Sequence, residues 1–397
     1  MLKAALNLDD VRRLARRRLP RGIFEYIERG AEDEVGLALL RRTFDEATFN
    51  PRILADVSTR DLSVEFLGRR RPLPLVVAPT AAAGLVWHNG EVALARAAAK
   101  AGIPFCIATG SITAMEEIAT ASGGELWFQL YMWKERSLSY ALIERARRTG
   151  IETLVLTADT VAPPNREYNT RNGFEVPIRA TVRGAIDMAL HPGWLWGVLL
   201  RYVRAGGVPI YQHYPAGFRS KITRKATWQQ VALTDAMTWD DLAELRRRWQ
   251  GRLILKGVLR ADDARRAADA GVDAIVVSSH GARNLDGAVP PLLALPAIAE
   301  VVRGRLAVLA DGGVRRGGDV LKLLASGADA VLVGRGPLYG TAAAGEAGAT
   351  RVLDILAAEM RTSLGLLGCA SLADLDASFL NHPAGHGRDA AIPRGRR

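Results

Sequence analysis

The stretch that decides the fold is Ala274-Ile-Val-Val-Ser278-Ser-His280-Gly-Ala-Arg283-Asn-Leu-Asp286. Its four apolar residues predict a short buried strand, and the polar residues that follow predict a functional loop at the strand's exit. Histidine exchanges a proton near neutral pH, whereas arginine stays charged and offers a planar fork of donors to a carboxylate. His280 and Arg283 together suit an enzyme that removes hydrogen from a small organic acid. Taken alone, the stretch is equally compatible with a loop histidine beside a solvated arginine.

The same pattern of an apolar run followed by polar residues recurs along the chain. The eight runs are 75–78, 105–109, 126–131, 153–157, 253–256, 274–278, 307–310 and 330–333, with helical stretches such as 91–101, 261–270 and 318–326 between them. Continuous apolar runs are typical of parallel strands buried on both faces, so this α/β chain is predicted to form a (β/α)8 TIM barrel. A doubly wound open sheet is the alternative, but it would gather its polar residues at one switch point instead of after nearly every run.

Further segments surround the predicted barrel, and residues 1–380 are expected to form one domain. Helices are predicted over 8–19 and 22–30, the first capped near Asp9, and we expect this N-terminal helical extension to cover the side or bottom of the barrel. The connection after the fourth strand is much longer than usual, so 173–230 is interpreted as an insertion on the catalytic side. The tail 381–397, rich in Gly, Pro, His and Arg, is expected to be disordered.

Composition limits the classes of function. The 397 residues are 49% hydrophobic and 24% charged, which is ordinary for a globular protein with a large core. The net charge of +11 favours anionic partners, but arginine is spread along the chain and no nucleic-acid module is present, so nucleic acid is not an expected partner. Cys106 and Cys369 are the only cysteines, and neither a disulfide framework nor a metal site is expected. Without a signal-like apolar start, a cytoplasmic location is predicted.

One part of the insertion, 185–203, is rich in large apolar residues. It carries Trp194 and Trp196, with Arg201 and Arg204 at its end. The segment is too short and too polar for a transmembrane helix. Tryptophan and flanking arginine suit a headgroup boundary, which would place the protein peripherally on the inner face of the cell membrane. The alternative, that 185–203 packs on the barrel or on a neighbouring subunit, stays open.

Polar residues follow most of the predicted strands and would meet at the C-terminal mouth of the barrel. In strand order they are Pro79, Thr80 and Ala81; Gln129 and Tyr131; Thr157 and Asp159; Lys256; and Ser278, His280 and Arg283. Each alone has a structural explanation, such as satisfying barrel backbone or pairing with a carboxylate. Jointly they predict an active site.

Two glycine- and arginine-containing turns follow the last two strands. They are Asp311-Gly-Gly313-Val-Arg315-Arg316 and Gly334-Arg335-Gly336. Glycines expose backbone N–H groups and arginines neutralise charge at the place where such barrels commonly hold a phosphate. A phosphorylated cofactor is therefore predicted.

From about residue 9 to 380, the chain resembles the FMN-dependent L-2-hydroxy-acid dehydrogenases and oxidases, a family that includes glycolate oxidase, lactate dehydrogenase and mandelate dehydrogenase. The motifs that carry the resemblance are Tyr26 with Gly30-Ala-Glu-Asp33, Ala78-Pro-Thr80, Phe128-Gln-Leu-Tyr131, Leu156-Thr-Ala-Asp159, Leu255-Lys-Gly-Val258, the His280 stretch, Asp311-Gly-Gly-Val-Arg-Arg-Gly317 and Gly334-Arg335. Their number and order make the match specific.

The resemblance implies an FMN cofactor across the barrel mouth. Its implied binding residues are Pro79, Thr80, Ala81, Gln129, Thr157, Lys256, Ser278, Asp311, Gly313, Arg315, Gly334 and Arg335. Within this set, Gly313, Arg315, Gly334 and Arg335 would hold the phosphate. Lys256 would stabilise negative charge on the reduced flavin.

The resemblance also implies the substrate-binding and catalytic residues. Arg166 and Arg283, with Tyr26, would hold the carboxylate of a 2-hydroxy acid, and Tyr131 would touch its hydroxyl. His280 would be the base and Asp159 its partner, with Tyr131 and Lys256 completing the catalytic set. A homotetramer is usual in the proteins that this chain resembles.

Some positions depart from the family pattern. Ser279 stands where Asn is usual, Asn284 stands where Gln is usual, and Gly110 replaces a bulky aromatic residue of the short-chain enzymes. We expect a larger pocket and a lactate- or mandelate-like acid. A quinone or other carrier is the preferred electron acceptor, because the insertion resembles that of membrane-associated members. The alternatives are an oxygen-using oxidase that makes hydrogen peroxide, a relative acting on a peptide-derived substrate, and a non-catalytic flavin-binding protein.

Overall fold

Eight parallel strands close into a barrel, as predicted. The computed structural model describes residues 2–173, 181–219, 221–223 and 228–381. The barrel strands are β1 (Leu75–Val77), β2 (Phe105–Ala108), β3 (Leu126–Leu130), β4 (Thr153–Thr157), β5 (Arg252–Val258), β6 (Ala274–Val277), β7 (Ala307–Asp311) and β8 (Ala330–Val333). The barrel closes where β8 pairs with β1. The TIM barrel is therefore confirmed and the open sheet excluded, and no predicted strand end differs from the observed one by more than two residues.

The strands form because their side chains are buried on both faces. One apolar cluster fills the inside of the barrel and includes Val76, Cys106, Val155, Val276 and Leu332. The larger cluster lies between the barrel and the surrounding helices. A hairpin of strands Val64–Phe66 and Arg69–Arg71 adds Phe66 to the inner cluster, where its ring meets Trp127 edge-on. The β1–β8 sheet is thus a packed layer, and chemistry is confined to its open end.

The helices alternate with the strands and leave few long connections. Their bounds are Leu8–Arg18, Arg21–Glu28, Val35–Glu46, Gly90–Lys100, Met115–Ser122, Arg136–Arg148, Glu167–Asn172, Val182–Ala189, Pro192–Trp194, Leu200–Ala205, Trp239–Arg248, Ala261–Asp269, Pro291–Val302, Gly317–Ala325 and Arg335–Leu366. The last is bent at Ala344 and Gly345, whose backbone angles are not helical. A two-residue strand, Thr48–Phe49, pairs with Leu380–Asn381 near the end of the described chain.

The N-terminal helices differ from expectation in their cap and in their position. Asn7 caps the first helix, because its side chain accepts the N–H of Asp10, so the predicted cap at Asp9 is wrong. Leu8, Ile23 and Ile27 line the cavity at the barrel mouth, so the extension reaches the functional end instead of covering only the side or bottom. The N-terminal extension is therefore part of the site.

One face of the insertion packs against the rest of the protein, and the other face is exposed to solvent. Trp194 and Val198 are buried, and the indole N–H of Trp194 donates to the carbonyl of Leu85. Large apolar side chains are nevertheless exposed along the same segment, at Val182, Ile186, Leu190, Trp196 and Val203. No helix among the described residues is long and apolar enough to cross a membrane. Most of the predicted tail, 382–397, lies outside the described residues.

Candidate active site

A cavity of about 440 Å³ lies across the mouth of the barrel and contains most of the predicted site. The predicted residues that line it are Tyr26, Pro79, Thr80, Ala81, Gln129, Tyr131, Thr157, Arg166, Lys256, His280, Arg283, Asp311, Gly313, Arg315, Gly334 and Arg335. Asp159 and Ser278 do not line the cavity, but each bonds to a residue that does. A cavity of this size is within the range of roughly 300–1,000 Å³ that encloses small-molecule ligands.

His280 occupies a turn with unusual backbone geometry. Its φ is 54°, and Gly281 and Ala282 follow with φ of 62° and 57°. A left-handed non-glycine residue costs roughly 1–2 kcal/mol, so the surroundings must hold this turn. They do so through the N–H of Ala31, which donates to the Ala282 carbonyl, and through Arg335, which donates to the Gly281 carbonyl. Because a Cβ on Gly281 would lie 2.8 Å from Nη1 of Arg335, the turn also needs glycine there.

The imidazole of His280 is oriented by a carboxylate. Nδ1 of His280 lies 2.8 Å from Oδ1 of Asp159, and Nε2 lies 3.4 Å from the hydroxyl of Tyr131. Burial lowers the pKa of His280, and Asp159 opposes that effect only in part. Burial alone would raise the pKa of Asp159, but the charges of His280 and Lys256 bring it to about 2. Near neutral pH the pair is therefore a neutral imidazole, with Nε2 toward the cavity, beside an ionised carboxylate.

A bulge in β5 aims Lys256 into the site. The register between β5 and β6 shifts between Lys256 and Val258, at Gly257, whose φ is 108°. A Cβ on Gly257 would lie 2.6 Å from Cβ of Asp159, so glycine is what lets the His280 partner approach. Nζ of Lys256 donates to Oγ of Ser278 at 2.8 Å and lies 3.2 Å from Oδ2 of Asp311.

These contacts keep Lys256 charged. Burial would lower its pKa, but the carboxylates of Asp311 and Asp159 outweigh burial and raise it. Ser278 Oγ also accepts the backbone N–H of His280 at 3.0 Å, so one hydroxyl contacts both Lys256 and the main chain of the His280 turn. Ser278 is thus a supporting residue behind the cavity.

Two arginines that lack a carboxylate partner among the described residues face the same space. Nε of Arg166 donates to the main-chain carbonyl of Arg283 at 2.9 Å, and both side chains line the cavity. Arg283 donates to the carbonyl of Arg29 at 3.0 Å, and its guanidinium lies 5.2 Å from the ring centroid of Tyr26. Burial and the charge of Arg283 lower the pKa of Arg166. Such a pair is suited to hold a small carboxylate.

Polar side chains from β3 and β4 also line the cavity. Nε2 of Gln129 donates to Oγ1 of Thr157 at 3.1 Å, and Oε1 of Gln129 accepts the N–H of Thr109 at 3.2 Å. Among the described groups, the buried Thr80 Oγ1 and Asp311 Oδ1 have no hydrogen-bond partner. Both residues line the cavity, so these two atoms are available for hydrogen bonds to a bound ligand.

The turns after β7 and β8 form a basic region. Nε of Arg335 donates to the carbonyl of Ile27 at 3.0 Å, and no carboxylate contacts Arg335 within the described part of the chain. Burial, then the charge of Arg283, lowers its pKa to about 10. Nη2 of Arg315 lies 3.9 Å from Glu28. Arg335 is therefore a half-buried cation that is available to bind an anion.

The residues fit a phosphorylated flavin. Six basic residues line the cavity, namely Arg41, Arg166, Lys256, Arg283, Arg315 and Arg335, against one acidic residue, Asp311. FMN and an acid substrate are both anions. Arg315 and Arg335 lie in the turns after β7 and β8, Arg166 and Arg283 form a second basic pair, Lys256 lies on β5, and Arg41 lies on an N-terminal helix. The unpartnered Thr80 and Asp311 atoms add polar groups to the wall of the same cavity.

Comparison with known proteins agrees with this geometry. Residues 15–382 match the FMN-dependent dehydrogenase family. The chain belongs to that family. This FMN-dependent dehydrogenase is 38% identical over 382 residues to an (S)-mandelate dehydrogenase of Pseudomonas putida, covering 96% of this chain and 95% of the relative. It is 41% identical over 377 residues to an L-lactate dehydrogenase of Caulobacter vibrioides, covering 94% and 97%.

A solved structure gives the same result for the fold. A crystal structure described as the monotopic membrane protein (S)-mandelate dehydrogenase matches with a TM-score of 0.89 at 38% identity, covering 96% of this chain and 100% of that one. The FMN-dependent dehydrogenase is thus an oxidoreductase with FMN as its cofactor, as the sequence motifs implied.

Several residues of the site were not predicted from the sequence. Arg41 lines the cavity and pairs with Asp319, although it lies on a helix that precedes the barrel. Thr109 follows β2 directly and bonds to Gln129 through its backbone and side chain, a signal that its position after a strand could have given. Gly257 stands within a recognised motif, but only the bulge explains it.

The expected opening at Gly110 is partly filled. A Cβ on Gly110 would lie 3.0 Å from Cβ of Ala81 and 4.0 Å from Cε1 of Tyr211. Tyr211 belongs to the insertion, so this segment supplies an aromatic side chain where one is missing from the barrel loop.

Proposed function

We propose that this FMN-dependent dehydrogenase oxidises an L-2-hydroxy acid, lactate- or mandelate-like, to the 2-oxo acid. The observation that carries the proposal is the pairing of the neutral, carboxylate-oriented His280 with the neighbouring Arg166 and Arg283. The resemblance of the chain to lactate and mandelate dehydrogenases supports the same substrate class.

The proposed roles of the side chains follow from their chemistry. Arg166 and Arg283 bind the substrate carboxylate through charge-assisted hydrogen bonds and fix the α-carbon. Tyr131, whose pKa burial and Asp159 raise, keeps its proton and donates to the substrate oxygen. His280 accepts one proton at Nε2, and Asp159 stabilises the imidazolium that results. Bound FMN supplies the acceptor for the two electrons that leave the α-carbon.

The proposed FMN contacts follow the lining of the cavity. Gln129 and Thr157 face the ring edge, Lys256 offsets negative charge on it, and the turns with Gly313, Arg315, Gly334 and Arg335 hold the phosphate. Pro79, Thr80 and Ala81 form the wall after β1, while Ser278 and Asp311 hold Lys256.

We also propose that the electrons pass to a quinone or other carrier and that the protein attaches peripherally to a membrane. The exposed apolar side chains of 182–203 support attachment, and a relative is described as a monotopic membrane protein. The other face of this segment packs on the barrel through Trp194, so both interpretations of the segment have support. An oxidase that releases hydrogen peroxide is the second candidate for the oxidative half of the reaction.

A flavin-bleaching experiment tests the proposal. The purified holoenzyme is mixed without oxygen with glycolate and with each enantiomer of lactate and mandelate, and the flavin absorbance is followed. An L-2-hydroxy acid should bleach the flavin, and its enantiomer should not. His280→Ala should bind FMN normally but remain oxidised with the same substrate.

Three outcomes would contradict parts of the proposal. If no 2-hydroxy acid bleaches the flavin, the substrate class is wrong, and a peptide-derived substrate or a non-catalytic flavin protein takes its place. If His280→Ala is reduced at the normal rate, the base is wrong. If oxygen reoxidises the bleached enzyme faster than a quinone analogue does, the protein is an oxidase.

A further inference from the structure

Asn284 lies between the arginine that we assign to the substrate and the carboxylate that orients the base. It follows Arg283 in the loop after β6 and is half-buried. Its Oδ1 accepts Nη2 of Arg166 at 3.2 Å. Its Nδ2 donates to Oγ1 of Thr160 at 2.7 Å and to the carbonyl of Asp159 at 2.8 Å. One side chain thus contacts both halves of the proposed chemistry.

The surroundings permit only one orientation of this amide. A guanidinium group only donates hydrogen bonds, and a main-chain carbonyl only accepts them. The oxygen of Asn284 must therefore face Arg166, and its NH₂ group must face Asp159. All the partners are fixed, since Arg166 is also held by the Arg283 carbonyl and Thr160 donates to Oδ1 of Asp159 at 3.2 Å.

The bonds form a continuous chain from the substrate side to the base. It runs from Arg166 to Asn284, from Asn284 to Thr160, from Thr160 to Asp159, and from Asp159 Oδ1 to Nδ1 of His280. The other carboxylate oxygen of Asp159, Oδ2, has no hydrogen-bond partner among the described residues. The position of the carboxylate therefore depends strongly on the bonds to Oδ1 and to the backbone of Asp159.

We propose that Asn284 is a positioning residue that fixes Arg166 and the Asp159–His280 pair relative to each other. This inference rests on the proposed function for the roles of Arg166 and His280. A side chain with only one of the two contacts would serve either binding or proton transfer. Asn284 serves both, because its acceptor holds the guanidinium and its donors hold the strand end that carries Asp159.

The network has two arms, the bond from Asn284 to Arg166 and the bonds from Asn284 toward the Asp159–His280 pair. Two substitutions separate them. Asn284→Leu has a similar volume and removes all the amide bonds. Thr160→Val removes the hydroxyl that links Asn284 to Asp159 and also contacts Tyr131, and it leaves Asn284 bonded to Arg166 and to the Asp159 carbonyl. Asn284→Gln keeps the amide but lengthens the side chain. The exposed Asn50, whose side-chain amide donates to the Ser378 carbonyl far from the cavity, provides the matched control Asn50→Leu.

Two measurements, one for each arm, can be made without a catalytic reaction. Binding of oxalate, a small carboxylate probe, is measured by calorimetry on the holoenzyme. The titration of the His280 imidazole is followed by nitrogen-15 NMR, with His280→Gln assigning the signal. Asn284→Leu should weaken oxalate binding about tenfold, the usual cost of one hydrogen bond to a charged group. It should also shift the His280 midpoint to lower pH, because Asp159 supports the imidazolium less well.

Thr160→Val should shift the His280 midpoint in the same direction but leave oxalate binding within about twofold of wild type. Asn284→Gln should fall between wild type and Asn284→Leu in both measurements, and Asn50→Leu should match wild type. All variants are compared at equal FMN content. If Asn284→Leu folds poorly, the Gln variant and Thr160→Val decide the result.

The proposal is overturned if Asn284→Leu changes neither oxalate binding nor the His280 titration. It is equally overturned if Asn284→Gln and Thr160→Val both match wild type in both measurements. Failure of the proposed function is a separate result, since it is detected by the absence of flavin bleaching in the wild-type protein with any 2-hydroxy acid.

Discussion

At the residue scale, two opposing effects set the proton affinity of His280. Burial lowers its pKa, and the neighbouring carboxylate of Asp159 raises it, with burial the larger effect. The ordinary histidine pKa is about 6.5, so the imidazole is already a neutral base at neutral pH. Nδ1 is occupied by Asp159, which leaves Nε2 for the substrate.

The first prediction concerns the pH profile of Asp159→Asn. Flavin reduction in the wild type should fall only as the pH drops below about 6.5, because a base with a lowered pKa loses activity when it is protonated. Asp159→Asn removes the effect that raises the His280 pKa, so the acid limb should move to lower pH. The maximal rate should also fall by about 10²-fold or more, since the imidazole loses its orienting partner. Stopped-flow reduction measured across pH checks both effects, and an acid limb at higher pH would exclude this role for Asp159.

Single residues also show the limits of prediction from sequence. His280, Lys256 and Arg283 line the cavity at the barrel mouth, a position that polar residues directly after short apolar runs predict. Gly257 was not assigned a role, because its importance comes from the approach of Asp159, about a hundred residues earlier in the chain. Asn284 stood out only as a departure from the family pattern, and its bonds to the loop after β4 depend on how the barrel closes.

At the element scale, the insertion combines two environments in one segment. Ile186, Leu190 and Trp196 are 58%, 72% and 60% exposed, whereas Val198 is 1% exposed. The apolar composition of 185–203 indicated both a membrane surface and packing on the barrel, and sequence could not separate them because both faces are apolar. Sequence has a similar limit in predicting helix caps. Asp9 and Asn7 are both good cap residues, and only the backbone conformation shows that Asn7 is the cap.

The second prediction concerns membrane attachment. The triple variant Ile186→Ser, Leu190→Ser, Trp196→Ser should bind vesicles containing phosphatidylglycerol roughly hundredfold more weakly, at ~1 kcal/mol for each apolar side chain. Its flavin should still be reduced at the wild-type rate. Ile53→Ser with Leu54→Ser is the matched control, because these side chains are 83% and 101% exposed but lie outside the insertion. Vesicle co-sedimentation measures the difference, and equal binding by wild type and the triple variant would rule out this face as the attachment site.

At the scale of the whole molecule, the barrel brings distant basic residues into one cavity. The net charge of +11 was interpreted as a sign of anionic partners, and six basic residues around the cavity account for part of it. The strand order was predictable because eight alternations leave little choice once the barrel closes. The approach of the N-terminal helices to the mouth was not, because no local pattern reports which end of a barrel a preceding helix covers. The homotetramer stays a prediction.

The third prediction at this scale concerns the cofactor and stability. Without FMN, Arg335 is a half-buried cation whose described partners are carbonyls only, so the flavin-free protein should unfold at a lower temperature than the holoenzyme. Adding FMN at a hundred times its dissociation constant should restore about 2.7 kcal/mol, the amount that mass action gives. Arg335→Met should lose most of this stabilisation by FMN, while its flavin-free form unfolds at or above the wild-type temperature, since the variant no longer holds an uncompensated charge there.

Arg351→Met is the control, because Arg351 bonds to the Ala5 carbonyl and does not line the cavity. Thermal unfolding with and without FMN measures all three proteins, and an Arg335→Met protein that gains as much from FMN as the wild type would show that the phosphate is held elsewhere.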